Sequence, residues 1–143
     1  MSKKEINPSE NYKNKINGFI LSGENNKKKI NILEFGVREG RSTKMFLDIC
    51  AENEGKLISV DIDNYFNLFI DKNWTFVQSR DDDYKKVSSY FNDNFDIILI
   101  DSFHEPNHVS KLIYTYWKHL KTNGTMYIDD ISWLPYTKKS WRD

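Results

Sequence analysis

From residue 30 onward, short apolar runs alternate with segments of helical periodicity, and this alternation constrains the fold more than any other feature. The apolar runs are typical of buried parallel strands; they lie at Ile30–Phe35, Lys56–Ile62, Trp74–Gln78, Phe95–Ile100 and Thr125–Ile128. Helical patterns fall between them, at Arg41–Asn53, Asp83–Phe91 and Asn107–Leu120, with a short helix or turn at Asn64–Ile70. This order predicts an α/β fold, a Rossmann-like doubly wound and mostly parallel sheet of about five strands.

The flanking segments differ from this domain, which we place at residues 30–131. Residues 1–29 are polar apart from an apolar patch over residues 16–21, which predicts a short amphipathic helix on the domain and a linker. Thr122-Asn123-Gly124 is expected to cap the last helix, and residues 132–143 form a tail with no assignable element. The fifth strand would then lie near an edge, so another segment or a second copy of the chain covers it, or the chain is a piece of a longer domain.

The composition excludes several classes of protein. The 21 basic and 21 acidic residues cancel, which argues against a broad nucleic-acid surface. No run approaches the ~20 apolar residues of a membrane span, and the first residues, MSKKEINPSE, lack the apolar segment of a secretory signal. The single cysteine, Cys50, is predicted to be an inert core thiol in a reducing compartment. We therefore expect a cytoplasmic protein.

Every predicted strand ends beside an acid. The ends read Glu34-Phe35-Gly36, Asp61-Ile62-Asp63, Ser79-Arg80-Asp81, Asp101-Ser102-Phe103-His104 and Asp129-Asp130. Ligands of open α/β sheets bind beyond these carboxyl ends, and an acidic rim would repel a pyrophosphate. The loop after the first strand, residues 36–40, also lacks the middle glycine of G-x-G-x-x-G, which lets the backbone approach a pyrophosphate. A cationic ligand that carries a ribose fits better.

Residues 34–42, E-F-G-V-R-E-G-R-S, match the E-x-G-x-x-x-G-x-S loop of class I S-adenosylmethionine-dependent methyltransferases. Over residues 30–131 the chain resembles the cation-dependent O-methyltransferases that act on catechols and macrolide sugars. The resemblance implies an enzyme that methylates a hydroxyl of a small molecule or sugar, although the last two strands of that family are missing from the pattern here. The cofactor-binding residues that it implies are Glu34, Gly36, Gly40, Ser42, Asp61, Ser79, Arg80 and Phe103.

Three acids fall at the ends of the fourth and fifth strands: Asp101, Asp129 and Asp130. If these strands are neighbours, their ends lie about 5 Å apart, and two carboxylates there repel by about 3 kcal/mol at an effective dielectric near 20. Either one is protonated or a cation lies between them. Oxygen ligands suit Mg²⁺, and the resemblance implies a metal at these three positions. The alternative is that Asp129 and Asp130 cap the next turn.

Asp101 and His104 are the candidate catalytic residues. His104 follows Asp101 by three positions, where the catechol-type enzymes carry a lysine that is proposed to take the hydroxyl proton. A histidine can be that base near neutral pH, although it can also be a loop residue without a role. Asp63 is expected to cap the following helix rather than to bind a ligand.

Residues 104–108, H-E-P-N-H, also match the H-E-x-x-H motif of zinc peptidases. That motif requires both histidines on one helical face, but Pro106 disfavours helical geometry at Glu105 and suits a first helical turn. We therefore expect the helix to start near residue 106, with His104 in the loop, and the match to be accidental. His108 and His119 are predicted to be surface residues of that helix.

Two other functions remain open. One is methyl transfer without a metal, through His104. The other is a domain that binds the cofactor but is inactive alone or depends on a partner. Methylation of nucleic-acid bases is not favoured, because no N/D-P-P-Y/F motif is present. The acceptor cannot be read from the residues.

Overall fold

The computed structural model describes residues 29–102, 105–128 and, as a strand, 132–137. The predicted amphipathic helix of the first segment lies outside them. The strands are β1 Ile32–Phe35, β2 Leu57–Asp61, β3 Trp74–Gln78, β4 Phe95–Ile100, β5 Leu120–Ile128 and β6 Ser132–Thr137. The helices are α1 Arg41–Asn53, α2 Tyr84–Ser88 and α3 Pro106–Tyr116, and a 3₁₀ turn, Trp117–His119, follows α3.

The strands form one sheet in the order β3-β2-β1-β4-β5-β6. The first five are parallel, which confirms the predicted Rossmann-like α/β fold. The strand order reverses between β1 and β4, because the chain runs outward from β1 to β3 and then returns to β4 on the other side. This reversal is the switch point where such sheets bind ligands.

The core has two layers, one on each face of the sheet. Successive residues of β4 point to opposite faces, so Ile97 packs with the apolar side of α1 while Ile98 packs with α3. Cys50 on α1 is fully buried, and burial raises the pKa of its thiol to about 12. The prediction of an inert core thiol is therefore confirmed.

The end of the parallel sheet differs from the prediction. Residues 132–137, for which no element was assigned, form β6, which pairs antiparallel with β5; of the stated alternatives, the one in which another segment covers the fifth strand is confirmed. The alternation of strand and helix could not reveal β6, because an antiparallel return needs no crossover helix.

Thr122-Asn123-Gly124 does not cap α3, because the helix ends at Tyr116 and this tripeptide lies within β5. The pairing of β4 with β5 jumps from Phe95–Leu120 to Ile97–Thr125, and Asn123 has a φ of 69°. The Asn-Gly pair therefore makes a bulge rather than a helix end.

The segment from 64 to 70 forms turns rather than a helix, so Asp63 caps no helix there. Asp83 is the residue that caps α2, through a hydrogen bond from the amide of Lys86. Within the described ranges, no helix has both the length and the apolar character that crossing a membrane requires.

Candidate active site

A cavity of about 510 Å³ opens beyond the carboxyl ends of the strands, at the reversal of strand order. Its walls come from the segments that follow β1, β2, β3 and β4 and from the first turn of α3. The lining residues are Gly36, Arg38, Val60, Asp61, Ile62, Asp63, Tyr65, Ser79, Arg80, Asp81, Asp101, Ser102 and His108. We call this cavity the cleft.

The loop after β1 is fixed by its glycines. Gly36 has a φ of 93°, and a Cβ there would lie 2.0 Å from the carbonyl oxygen of Asp101. Only glycine therefore lets the ends of β1 and β4 approach so closely. Gly40, with a φ of 81°, is the N-cap residue of α1 and donates its amide to the carbonyl of Val37 at 2.9 Å. The loop thus connects β1 to α1 through one tight turn.

Asp61, at the end of β2, links the loop after β1 to β2. Its carboxylate accepts the amide of Val37 at 2.8 Å with one oxygen and the amide of Asp63 at 2.9 Å with the other. An ionised carboxylate offers about four lone-pair positions, so two contacts leave capacity for a ligand in the cleft. The residue predicted to take the ribose hydroxyls therefore lies in the cleft with its orientation fixed.

Glu34 lies behind the loop and does not line the cleft. It is fully buried and accepts hydrogen bonds from the hydroxyls of Ser42 at 2.6 Å, Thr43 at 2.6 Å and Ser59 at 2.8 Å. Burial raises the pKa of its carboxyl to about 7, although these three hydrogen bonds oppose the shift. Glu34 and Ser42 thus join β1, β2 and α1 beneath the loop. Gly40 is also absent from the cleft wall.

Ser79 and Arg80 follow β3 and line the cleft, and their contact with the adenine stays a prediction. The guanidinium of Arg80 makes two hydrogen bonds of 2.8 Å to the carboxylate of Asp82. This pairing lowers the pKa of Asp82 to about 2 and raises the pKa of Arg80. The arginine is thereby held at the rim of the cleft.

Asp101 lines the cleft at the end of β4, and its Oδ1 lies 3.8 Å from Nη2 of Arg38. The other members of the predicted metal and catalytic sets, His104, Asp129 and Asp130, lie outside the described residues, and so does Phe103. The three-acid metal site and the histidine base therefore stay predictions.

A polar cluster around Asp81 was not predicted. Oδ1 of Asp81 lies 2.8 Å from Nε2 of His108, and Oδ2 accepts a hydrogen bond from the hydroxyl of Ser102. The main-chain carbonyl of Asp81 accepts the hydroxyl of Tyr116 at 2.7 Å. The cluster joins the ends of β3 and β4 to α3 and forms one wall of the cleft.

The prediction that His108 is a surface residue is therefore wrong, since its side chain is only 15% exposed. The spacing of His108, Leu112 and Tyr116 at intervals of four residues contained the signal, because the latter two are fully buried on the same helical face. His119 is half-buried and lies on the 3₁₀ turn after α3 rather than on the helix itself. Its Nε2 lies 2.7 Å from the hydroxyl of Tyr84, and burial lowers its pKa.

Asp81, Asp82 and His108 each place one potential metal-ligand atom within 4.8 Å of the others. These atoms already serve protein contacts, however. Asp82 is bound twice by Arg80, and Asp81 is bound by His108 and Ser102. The group is therefore best described as a hydrogen-bond network.

Glu105 is the N-cap residue of α3, and its carboxylate accepts the amides of Asn107 at 3.1 Å and His108 at 2.8 Å. Helix α3 begins at Pro106, as predicted. The carboxylate that would be the general base of an H-E-x-x-H peptidase is engaged in capping, so the motif match is accidental.

A family model described as a methyltransferase domain matches residues 33–131. The match covers more than half of the chain, and the chain belongs to this family. The resemblance to class I S-adenosylmethionine-dependent methyltransferases, enzymes that transfer methyl groups, is confirmed. No curated protein sequence matches the chain.

Solved structures share the fold at low sequence identity. MycE, a methyltransferase from the mycinamycin biosynthetic pathway solved with Mg and SAH, superposes with a TM-score of 0.64 at 20% identity, over 73% of this chain and 28% of its own. CalS11, a TDP-rhamnose 3'-O-methyltransferase of calicheamicin biosynthesis, superposes with a TM-score of 0.62 at 14% identity, over 85% of this chain and 61% of its own. A putative rRNA methylase from Clostridium thermocellum superposes with a TM-score of 0.63 at 14% identity, over 87% of this chain and 69% of its own. The chain thus spans less than a third of the length of MycE.

Proposed function

We propose that the chain uses S-adenosylmethionine to methylate a hydroxyl oxygen of a small molecule or sugar, assisted by a divalent cation. The observation that carries the proposal is the convergence of Gly36, Asp61, Ser79, Arg80 and Asp101 on one cleft, from the ends of four strands, β1 to β4, or the loops after them. The fold shared with MycE and CalS11, both named as methyltransferases, supports the choice of reaction.

The cleft fits such a cofactor in size and charge. Its volume of about 510 Å³ lies in the usual range for small-molecule sites. Four acids line it, Asp61, Asp63, Asp81 and Asp101, against two arginines, Arg38 and Arg80, and this excess of negative charge favours a ligand with a cationic sulfonium. When bound, S-adenosylmethionine supplies an electrophilic methyl group.

The residues of the chain would orient that ligand. Asp61 would accept the ribose hydroxyls with the lone pairs that the amides of Val37 and Asp63 leave available. Ser79 and Arg80 would border the adenine, with Arg80 held in place by Asp82. Glu34 and Ser42 would act from behind the loop, by fixing its path rather than by touching the ligand.

Asp101 would be a ligand of the cation, since a carboxylate oxygen at the mouth of the cleft is the type of donor that Mg²⁺ prefers. A bound divalent cation would supply positive charge that lowers the pKa of the acceptor hydroxyl. The proposal also includes Asp129 and Asp130 as further ligands of the metal and His104 as the base. The proposed location of the chain is cytoplasmic.

Methyl transfer without a metal is the second candidate. It is favoured by Arg38, whose guanidinium lies 3.8 Å from Asp101 and gives this acid a positive neighbour that belongs to the chain. In that case His104 would accept the hydroxyl proton unaided.

The metal assignment is tested by calorimetric titration of Mg²⁺ into the purified chain, the Asp101→Asn variant and the control Asp93→Asn. Asp93 is exposed and lies before β4, at the opposite end of the sheet. We expect a Mg²⁺ isotherm that Asp101→Asn abolishes and Asp93→Asn preserves. If Mg²⁺ binds equally well to all three proteins, Asp101 is not a ligand. If it binds to none, the Mg²⁺ assignment is wrong.

A further inference from the structure

Exposed apolar side chains are concentrated in one loop between β2 and β3. The described residues include six exposed large apolar side chains, and four of them, Ile62, Phe66, Leu68 and Ile70, lie within residues 62–70. Ile62 is 66% exposed, and Ile70 is fully exposed. Such a concentration within one loop is typical of a contact site rather than of scattered surface residues. We call residues 62–70 the apolar loop.

The apolar loop has a fixed backbone. Two of its aromatic residues point inward, Tyr65 against Phe76 with ring centroids 6.5 Å apart and Phe69 against Trp74 at 5.6 Å. The amide of Leu68 donates to the carbonyl of Tyr65 at 2.9 Å. These contacts anchor the loop on β3 while its other large apolar side chains stay exposed.

The first 28 residues of the chain contain a segment that matches this surface in polarity. It is the patch over residues 16–21, with Ile16, Phe19, Ile20 and Leu21. We propose that residues 16–21 dock on the apolar loop of the same chain and cover its exposed side chains. This inference does not depend on the proposed reaction.

The charges of the two segments are complementary. Residues 1–28 contain six lysines and three glutamates, two of the lysines, Lys13 and Lys15, immediately before the apolar patch. The apolar loop contains Asp63 and lies between Asp61 and Asp71, with one basic residue, Lys72, after Asp71. Opposite charges around a shared apolar contact favour association and fix its orientation.

The linker is long enough for this contact. Ile30 is fixed next to the start of β2, where a Cβ on Gly55 would lie 1.7 Å from its carbonyl oxygen. The apolar loop begins at the other end of β2, a five-residue strand that spans about 17 Å. Residues 22–28 can extend over about 25 Å, which exceeds this distance.

Disulfide trapping tests the contact. The double variant Phe19→Cys/Ile70→Cys places one thiol on each segment, and the control Phe19→Cys/Tyr114→Cys moves the second thiol to α3, where Tyr114 is 87% exposed. The native Cys50 does not interfere, because it is buried and its thiol has a pKa of about 12. Oxidation by glutathione is followed by mass mapping of peptides under non-reducing conditions, with circular dichroism as the check on folding.

We expect an intramolecular disulfide between positions 19 and 70 that forms about tenfold faster than in the control, because docking raises the effective concentration of one thiol at the other. Added salt should slow it. Equal rates in the two variants would overturn the proposal. A disulfide that forms only between two chains, at a rate that rises with protein concentration, would overturn it too and show that a second copy covers the loop. If Ile70→Cys impairs folding, Phe66→Cys provides the same test.

Discussion

Nη2 of Arg38 lies 3.8 Å from Oδ1 of Asp101, so the acid at the end of β4 has a cation of the same chain beside it. The loop after β1 creates this arrangement, because Gly36 packs against the carbonyl of Asp101 and Arg38 follows with a φ of 50°. One loop therefore shapes one side of the cleft and also sets the charge around the proposed metal ligand.

Removing this guanidinium should tighten metal binding. In Arg38→Gln, Mg²⁺ no longer competes with an ion pair at Asp101, and we expect its affinity to rise by up to about fivefold, the range of a half-exposed pair. The control is Arg41→Gln, an exposed arginine that lies near Glu39 instead. Calorimetric titration compares the two variants. An unchanged or weaker affinity in Arg38→Gln would show that Arg38 and the metal do not compete.

Gly36→Ala should destabilise the protein more than Gly40→Ala does. Both glycines have a positive φ, but a Cβ at position 36 meets the main-chain carbonyl of Asp101 at 2.0 Å, whereas at position 40 it meets the movable side chains of Leu68 and Phe69. We expect Gly36→Ala to lower the free energy of unfolding by at least about 2 kcal/mol, from backbone strain and overpacking. Urea denaturation measures both variants. Equal losses would mean that the ends of β1 and β4 separate easily.

Glu34 should make stability depend on pH. Its pKa rises from an ordinary 4.5 to about 7 on folding, so its contribution to stability is complete below pH 4.5 and is lost as the pH rises through 7. The loss is about 3 kcal/mol in total. Urea denaturation at pH 5 and pH 8 should show this difference in the parent chain and in the control Glu52→Gln, but not in Glu34→Gln. The same pH difference in all three proteins would mean that Glu34 is not the group responsible.

His108→Ala should destabilise the wall of the cleft. The substitution removes a hydrogen bond to the carboxylate of Asp81, which is only 10% exposed, and bonds to charged groups contribute about 1.5–3 kcal/mol. The control is Lys111→Ala, an exposed residue of the same helix. Thermal and urea denaturation should place His108→Ala well below the control in free energy of unfolding. If the two variants are equally stable, the Asp81–His108 contact contributes nothing.

The parallel part of the fold was predictable from the sequence because most residues of its short strands are apolar. The bounds of α1, β3 and β4 match the structure residue for residue. Sequence reasoning also placed Gly36, Asp61, Ser79, Arg80 and Asp101 at one edge of the sheet, since the carboxyl ends of parallel strands converge there. The position of the cleft follows from this convergence of strand ends.

The errors arose where tertiary contacts override local pattern. Asn123-Gly124 is a typical helix end, but its neighbours pair with β4 and make it a bulge. His108 is a polar residue at the start of a helix, and its burial depends on Asp81, which lies 27 positions earlier in the chain. Likewise, nothing local to Glu34 indicates that hydroxyls from α1 and β2 enclose it.

The most direct test of the account is the affinity of the chain for S-adenosylhomocysteine, measured by calorimetry with Asp61→Asn and the matched control Asp93→Asn. Asp61 lies in the cleft with its orientation fixed by the amides of Val37 and Asp63. We expect the parent chain and the control to bind alike, and Asp61→Asn to bind about 10- to 100-fold more weakly, since it loses charged hydrogen bonds to the ribose. Equal affinity in Asp61→Asn, or no binding by the parent chain, would contradict the assignment of the cleft as the cofactor site.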